Sequence, residues 1–187
     1  MSDTIFCYAY VNAKIMPVAR GKIFATPLEQ IMEQKGIGKV SGGGTLQDKT
    51  GEIIHCGIDI ELVPEDANIK FVRDFLTERG APKGSKLQLT QNGDKREFPF
   101  GQIEGIGIYL NGTDLPPEVY ASSDVNVVME TFAQRTKTIC TMRGYWQGPR
   151  ETALYMYGKS AAALESSISE FMGTYPLCQR ARVVRIA

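Results

Sequence analysis

The sequence has one histidine, His55, one tryptophan, Trp146, and four cysteines that never stand as a CxxC pair. Each scarcity removes chemistry. A lone imidazole excludes a multi-histidine metal site and sets aside the histidine-based triads. Cys7, Cys56, Cys140 and Cys178 are scattered singly, so neither a zinc cluster nor a disulfide framework is expected, and buried reduced thiols are. Net charge is also missing: 21 Lys and Arg balance 21 Asp and Glu. A dedicated nucleic-acid binder would carry a bulk positive field, so nucleic acid is not the expected partner. No apolar run approaches the roughly 20 residues that span a bilayer. The first residues, MSDTIFCYAY, lack the basic and apolar regions of a signal peptide, and the expected compartment is the cytoplasm. No sequence feature calls for a cofactor or a metal.

What is there is an order of elements. With 187 residues, 43% apolar and 22% charged, the chain has ordinary globular composition and can bury a real core. IFCYAYVNAKIM (5–16) reads as a strand. Thr26-Pro27-Leu28-Glu29 reads as a helix start, with Thr26 as N-cap, Glu29 as its reciprocal partner and Gly36 as the stop. Strands follow over 38–47 and 51–63, around the turn-forming DKTG. Pro64-Glu65-Asp66 opens a helix with Ile69, Val72 and Leu76 on one face, and KLQLT (86–90) closes the set. The order is β-α-β-β-α-β, which is ferredoxin-like.

The second half gives the same order. GIGIYL (105–110) is a strand and 124–136 a helix. KTICTMRGYW and TALYMYG form a hairpin. Ser160 caps a helix striped by Leu164, Ile168 and Phe171, and ARVVRI (181–186) closes the set. The expectation is an α+β fold of two tandem ferredoxin-like repeats with antiparallel sheets, residues 1–90 and 101–187. Between them, residues 91–100 with Asn92-Gly93 either extend the first sheet or join the two units.

Four places invite a functional reading. The run VSGGGT (40–45) lacks the lysine and the following helix of a P-loop, so phosphate is rejected. Gly42, Gly43 and Gly44 then mark either a bulge and close backbone approach, or a bare platform for a partner. Asp59 and Glu61 alternate on one strand, as an acid–base pair would or as a solvated sheet face would. His55 and Cys56 are neighbours on a strand and point to opposite faces, a poor nucleophile pair. The stretch Met142–Arg150 gathers Arg143, Tyr145, Trp146 and Arg150 at a hairpin, either as recognition anchors or as a packed turn.

Charge is segregated as well. From Asp94 to Glu130 there are seven acidic and two basic residues, and from Thr131 onward eight basic and three acidic. Either the two blocks cancel in the folded chain or they form a dipolar surface suited to a charged protein.

The phrases VSGGGT (40–45), RGAPKGS (79–85), IYLNGTDLP (108–116) and YPLCQRARV (175–183) resemble uncharacterised bacterial proteins with duplicated ferredoxin-like repeats, associated with immunity or antitoxin roles. The resemblance implies a non-enzymatic module that binds or neutralises a protein partner, and brings no catalytic residue with it. Alternatives are a small-ligand sensor with a pocket between the repeats, an RNA binder, or an enzyme built on Asp59 and Glu61. The third strand presents carboxylates where an RNA-recognising sheet would offer basic and aromatic groups.

Overall fold

A computed structural model describes residues 4–91 and 93–187. The proposed Asn92-Gly93 turn falls partly outside, since Asn92 is not among the described residues. The chain divides into two compact units, one of residues 1–47 and 53–102, the other of 48–52 and 103–187.

In the first unit, β1 (Ile5–Val11), β2 (Gly38–Gln47), β3 (Ile53–Leu62), β4 (Ser85–Gln91) and β5 (Asp94–Phe100) form one sheet in the order β2-β3-β1-β4-β5, all antiparallel. Cys7, Ala9 and Val11 alternate with Phe6, Tyr8 and Tyr10. The first three are buried on the same face as Ile58, Ile60, Leu62, Leu87 and Leu89. Helices α2 (Thr26–Lys35) and α3 (Asp66–Glu78) add Leu28, Met32, Ile69, Val72 and Leu76 to the buried set. Each such side chain contributes about 1.5–3 kcal/mol.

Two expectations are corrected here. Strand β1 stops at Val11, and helix begins at Pro17 rather than Thr26. Met16 is extended and Pro17 takes the first helical position, opening α1 (Pro17–Arg20). A π-turn (Gly21–Ala25) carries the helix into α2, so Thr26 is interior and caps nothing. Within the stretch between the two expected repeats, Asp94–Phe100 extends the first sheet as β5.

In the second unit, β6 (Glu104–Asn111), β7 (Cys140–Gln147), β8 (Glu151–Gly158) and β9 (Arg182–Arg185) give the order β7-β8-β6-β9, again antiparallel. This is the first sheet's order without its fifth strand. Ile106, Ile108, Leu110, Leu154 and Met156 pack with Val128 and Phe132 of α5 (Val125–Thr136) and Leu164 and Ile168 of α6 (Ala161–Thr174). The helix starts are capped: Asp124 accepts from the Asn126 amide at 2.8 Å and Ser160 from the Ala163 amide at 3.2 Å. A short helix, α4 (Pro117–Ser122), was not anticipated, because six residues carry too little periodicity to read.

The two sheets match row by row. In the first, Gly44, Gly57, Tyr10 and Lys86 stand in one register row. In the second, Trp146, Ala153, Tyr109 and Arg182 occupy it. Each row sets a cation over its tyrosine, Lys86 at 5.9 Å from the Tyr10 ring and Arg182 at 3.9 Å from that of Tyr109. Both outer strands also break register at the same place, between Val40 and Gly42 and between Met142 and Gly144. Ser41 and Arg143 are the extra residues of the two bulges.

The segregated charges pair locally. Arg182 grips Glu151, Arg185 meets Glu165 at 3.2 Å and Arg135 meets Glu170 at 2.9 Å. The three carboxylates of the last third are thus each paired with a basic residue of the same stretch.

Candidate binding groove

The glycine run lies inside β2, the first sheet's outermost strand, and no helix N-terminus follows it. Its three glycines do different things. A Cβ on Gly43 would fall 2.5 Å from the Gly57 carbonyl oxygen, and its φ is +157°. A Cβ on Gly42 would meet the Asp59 carboxylate at 3.1 Å, and one on Gly44 would meet nothing within 4 Å. Close backbone approach at the bulge accounts for Gly43. Gly44 is open strand edge.

On the opposite face of β1 and β3 from the helices, Tyr10 lies against the His55 ring, centroids 4.2 Å apart, and the Tyr8 hydroxyl is 3.3 Å from His55 Nε2. Burial lowers the His55 pKa, and burial first, then the Asp59 charge, raises that of Tyr8. Glu61 pairs with Lys39 at 3.2 Å, and it shares its face of β3 with Asp59. Cys56 is buried on the helix face, away from His55. Burial also pushes the Cys7 and Cys178 thiols up to about 11.

The second unit's outer strand, β7, separates the aromatic candidates. Trp146 is half-buried: its indole lies across Gly148, where a Cβ would collide with it, and Nε1 donates to the Thr50 carbonyl at 3.3 Å. Residues 48–52 belong to this unit, and Glu52 within them accepts from the hydroxyls of Tyr109 (2.5 Å) and Tyr155 (3.0 Å). Trp146 is therefore tied down by its own unit, which an exposed anchor would not be. Arg143 is half-buried with its guanidinium 5.5 Å from the Tyr157 ring centre. Tyr145, next along the strand, is 59% exposed, and Arg150 at the hairpin end is exposed.

Tyr145 and Gln147 point to the helix side of β7, in rows with Leu154 and Thr152. There a cavity of about 310 Å³ opens between the strand and α5, walled on the helix side by Val125, Asn126 and Met129. A second cavity of about 320 Å³ shares Val125, Gln147 and Thr152 and continues to Tyr120, Arg150 and Glu151. The two meet at Val125, Gln147 and Thr152 beside β7, and the second continues under the hairpin to Leu110, Asn111 and Gly112 at the end of β6. Sequence reasoning selected this hairpin from its residue types. It missed the helix wall, because nothing marks Asn126 or Met129 before α5 is placed beside β7.

A cavity of the first unit, of about 220 Å³, lies instead by β1, β4 and β5, lined by Phe6, Tyr8, Gln88 and Arg96. Thr45 takes the row of Gln147, and its hydroxyl accepts from Arg20 of α1 at 3.3 Å. Gly43 takes the row of Tyr145.

No protein-family model matches the chain, and no curated protein matches it. Among solved structures it is similar to a monooxygenase candidate from Lactobacillus acidophilus, with 13% identity over 99% of this chain and 95% of that one, TM-score 0.30. It is also similar to an anthrone oxidase-like protein (9%, 98% and 89%, TM-score 0.29) and to the first two RRM domains of a yeast poly(U) binding protein (7%, 97% and 99%, TM-score 0.25). Likeness at this level assigns no function, and the fold rests on the strand orders and registers above.

Proposed function

We propose that the chain is a binding module whose second unit takes up a protein partner along β7. One observation carries the reading: a strand that is outermost in its sheet among the described residues, flanked by a helix and a groove with an exposed tyrosine at its rim. An extended segment can add to such an edge, with main-chain hydrogen bonds giving affinity and the groove selecting side chains. Tyrosine suits the rim, being large, amphipathic and cheap to order. A neutralising role of the kind the sequence resemblance implies would be one use of this surface.

The test is selection of random displayed peptides on the wild-type protein, with counter-selection on Tyr145→Ala. Enriched peptides should lose at least about 2 kcal/mol of affinity on Tyr145→Ala, the usual threshold for an interface anchor, while the melting midpoint stays unchanged. Failure to enrich any peptide, or affinities indifferent to Tyr145, would refute the reading.

A further inference from the structure

The geometry points to the chemistry of the bound segment: an extended peptide antiparallel to β7, with an uncharged side chain in the first cavity and a carboxylate two residues N-terminal to it, against Arg150. This rests on the partner-binding reading and adds what is recognised.

The first cavity contains no acidic or basic side chain. Val125, Met129 and Leu154 give it an apolar floor, while Asn126, Gln147 and Thr152 offer only neutral amides and a hydroxyl. A charged side chain placed there would shed water and meet no counter-charge.

The second cavity is different. Its carboxylate, Glu151, is already engaged by Arg182 through Nε and Nη2, both at 2.8 Å. That pairing holds Glu151 below the usual carboxylate range. Arg150 lines the same cavity and is exposed, and with Glu151 already paired it leaves this wall with a net positive charge. Arg presents a fork matched to a carboxylate.

Spacing and direction follow from the sheet. Side chains two residues apart share a face and stand about 6.7 Å apart, and Gln147 lines both cavities, so neighbouring same-face positions reach one cavity each. Every pairing in this sheet is antiparallel. Strand β7 runs toward Arg150, so a segment running the other way passes Arg150 first and the apolar cavity second.

The experiment titrates ¹⁵N-labelled full chain with the blocked hexapeptide Thr-Glu-Thr-Phe-Thr-Val, read by amide shifts of Gly144–Gln147. Replacing the peptide's Glu with Gln should weaken binding by up to about fivefold, the upper end for an exposed ion pair, and the difference should vanish on Arg150→Ala and shrink in high salt. Replacing its Phe with Asp should abolish the shifts. If the β7 amides shift equally for the Glu and Gln peptides, this inference falls and the partner-binding reading stands. If the hexapeptide shifts no β7 amide, this inference falls as well, and the peptide selection on Tyr145→Ala decides the partner-binding reading.

Discussion

The outer strands β2 and β7 occupy the same place in their sheets, bulge at the same row and carry opposite decoration. Where β7 has Tyr145, Trp146 and Gln147, β2 has Gly43, Gly44 and Thr45. The first unit fills the space beside its edge from within, through Arg20 of α1. In the second unit α5 and the strand side chains leave a groove open. Strand order fixes where an edge lies; the side chains and the crossover helix decide whether that edge can receive anything.

The comparison breaks most visibly at Gly43. A valine there would push into the Gly57 carbonyl, and overpacking with backbone strain should cost about 2–5 kcal/mol in a denaturation experiment. Tyr145, in the equivalent row, carries its side chain on a backbone of negative φ, where Gly43 has a φ of +157°. A Gly43→Val protein with an unchanged midpoint would mean that β2 can move away from the Gly57 carbonyl without loss.

Next in size is Trp146. Since the indole is half-buried over Gly148 and bonded to Thr50, Trp146→Ala should cost about 1–2 kcal/mol of stability, below the 3–5 of a fully buried aromatic. Its fluorescence should sit between buried and exposed limits, with partial quenching by iodide. Full quenching together with an unchanged stability would restore the tryptophan as a free anchor and demote Tyr145.

Alkaline pH separates the rows through their tyrosines. Burial first, then the Glu52 hydrogen bond and charge, raises the Tyr155 and Tyr109 pKa values far above the ordinary 10.0. A raised folded pKa means stability is complete below the unfolded value and declines above it. Unfolding free energy should therefore fall above about pH 10, by up to about 1.4 kcal/mol per pH unit for each phenol. The Tyr109→Phe/Tyr155→Phe double variant should show a flatter decline. An equal slope in wild type and variant would place the titration elsewhere.

The smallest effect belongs to Gly44. With nothing within 4 Å of its Cβ, Gly44→Val should change stability by no more than about 0.5 kcal/mol. A large loss would show the glycine run to be constrained throughout.

Much of this architecture is legible in residue order. Alternation in IIHCGIDIEL and the Leu164, Ile168, Phe171 stripe report a local period that the structure obeys. What escaped has physical causes. Thr26-Pro27 has the composition of a helix start, yet the helix opens at Pro17, because capping signals compete and the chain uses the earlier proline. The glycines were legible as backbone that another element approaches, but not which of the three is approached, since that depends on a register break one residue away. The groove needed α5 beside β7, a long-range fact. Asn126 alone says nothing of it.

Residues 48–52 leave a consequence in time. They emerge from the ribosome some fifty residues before Tyr109 and a hundred before Tyr155, the two hydroxyls that Glu52 receives. The second unit is thus not a contiguous stretch of chain, and a fragment of residues 103–187 would be missing that acceptor. Contacts of such long sequence separation form late and slowly, so during synthesis the hairpin tip waits for its second half. The last steps of folding then belong to the whole chain rather than to either unit alone.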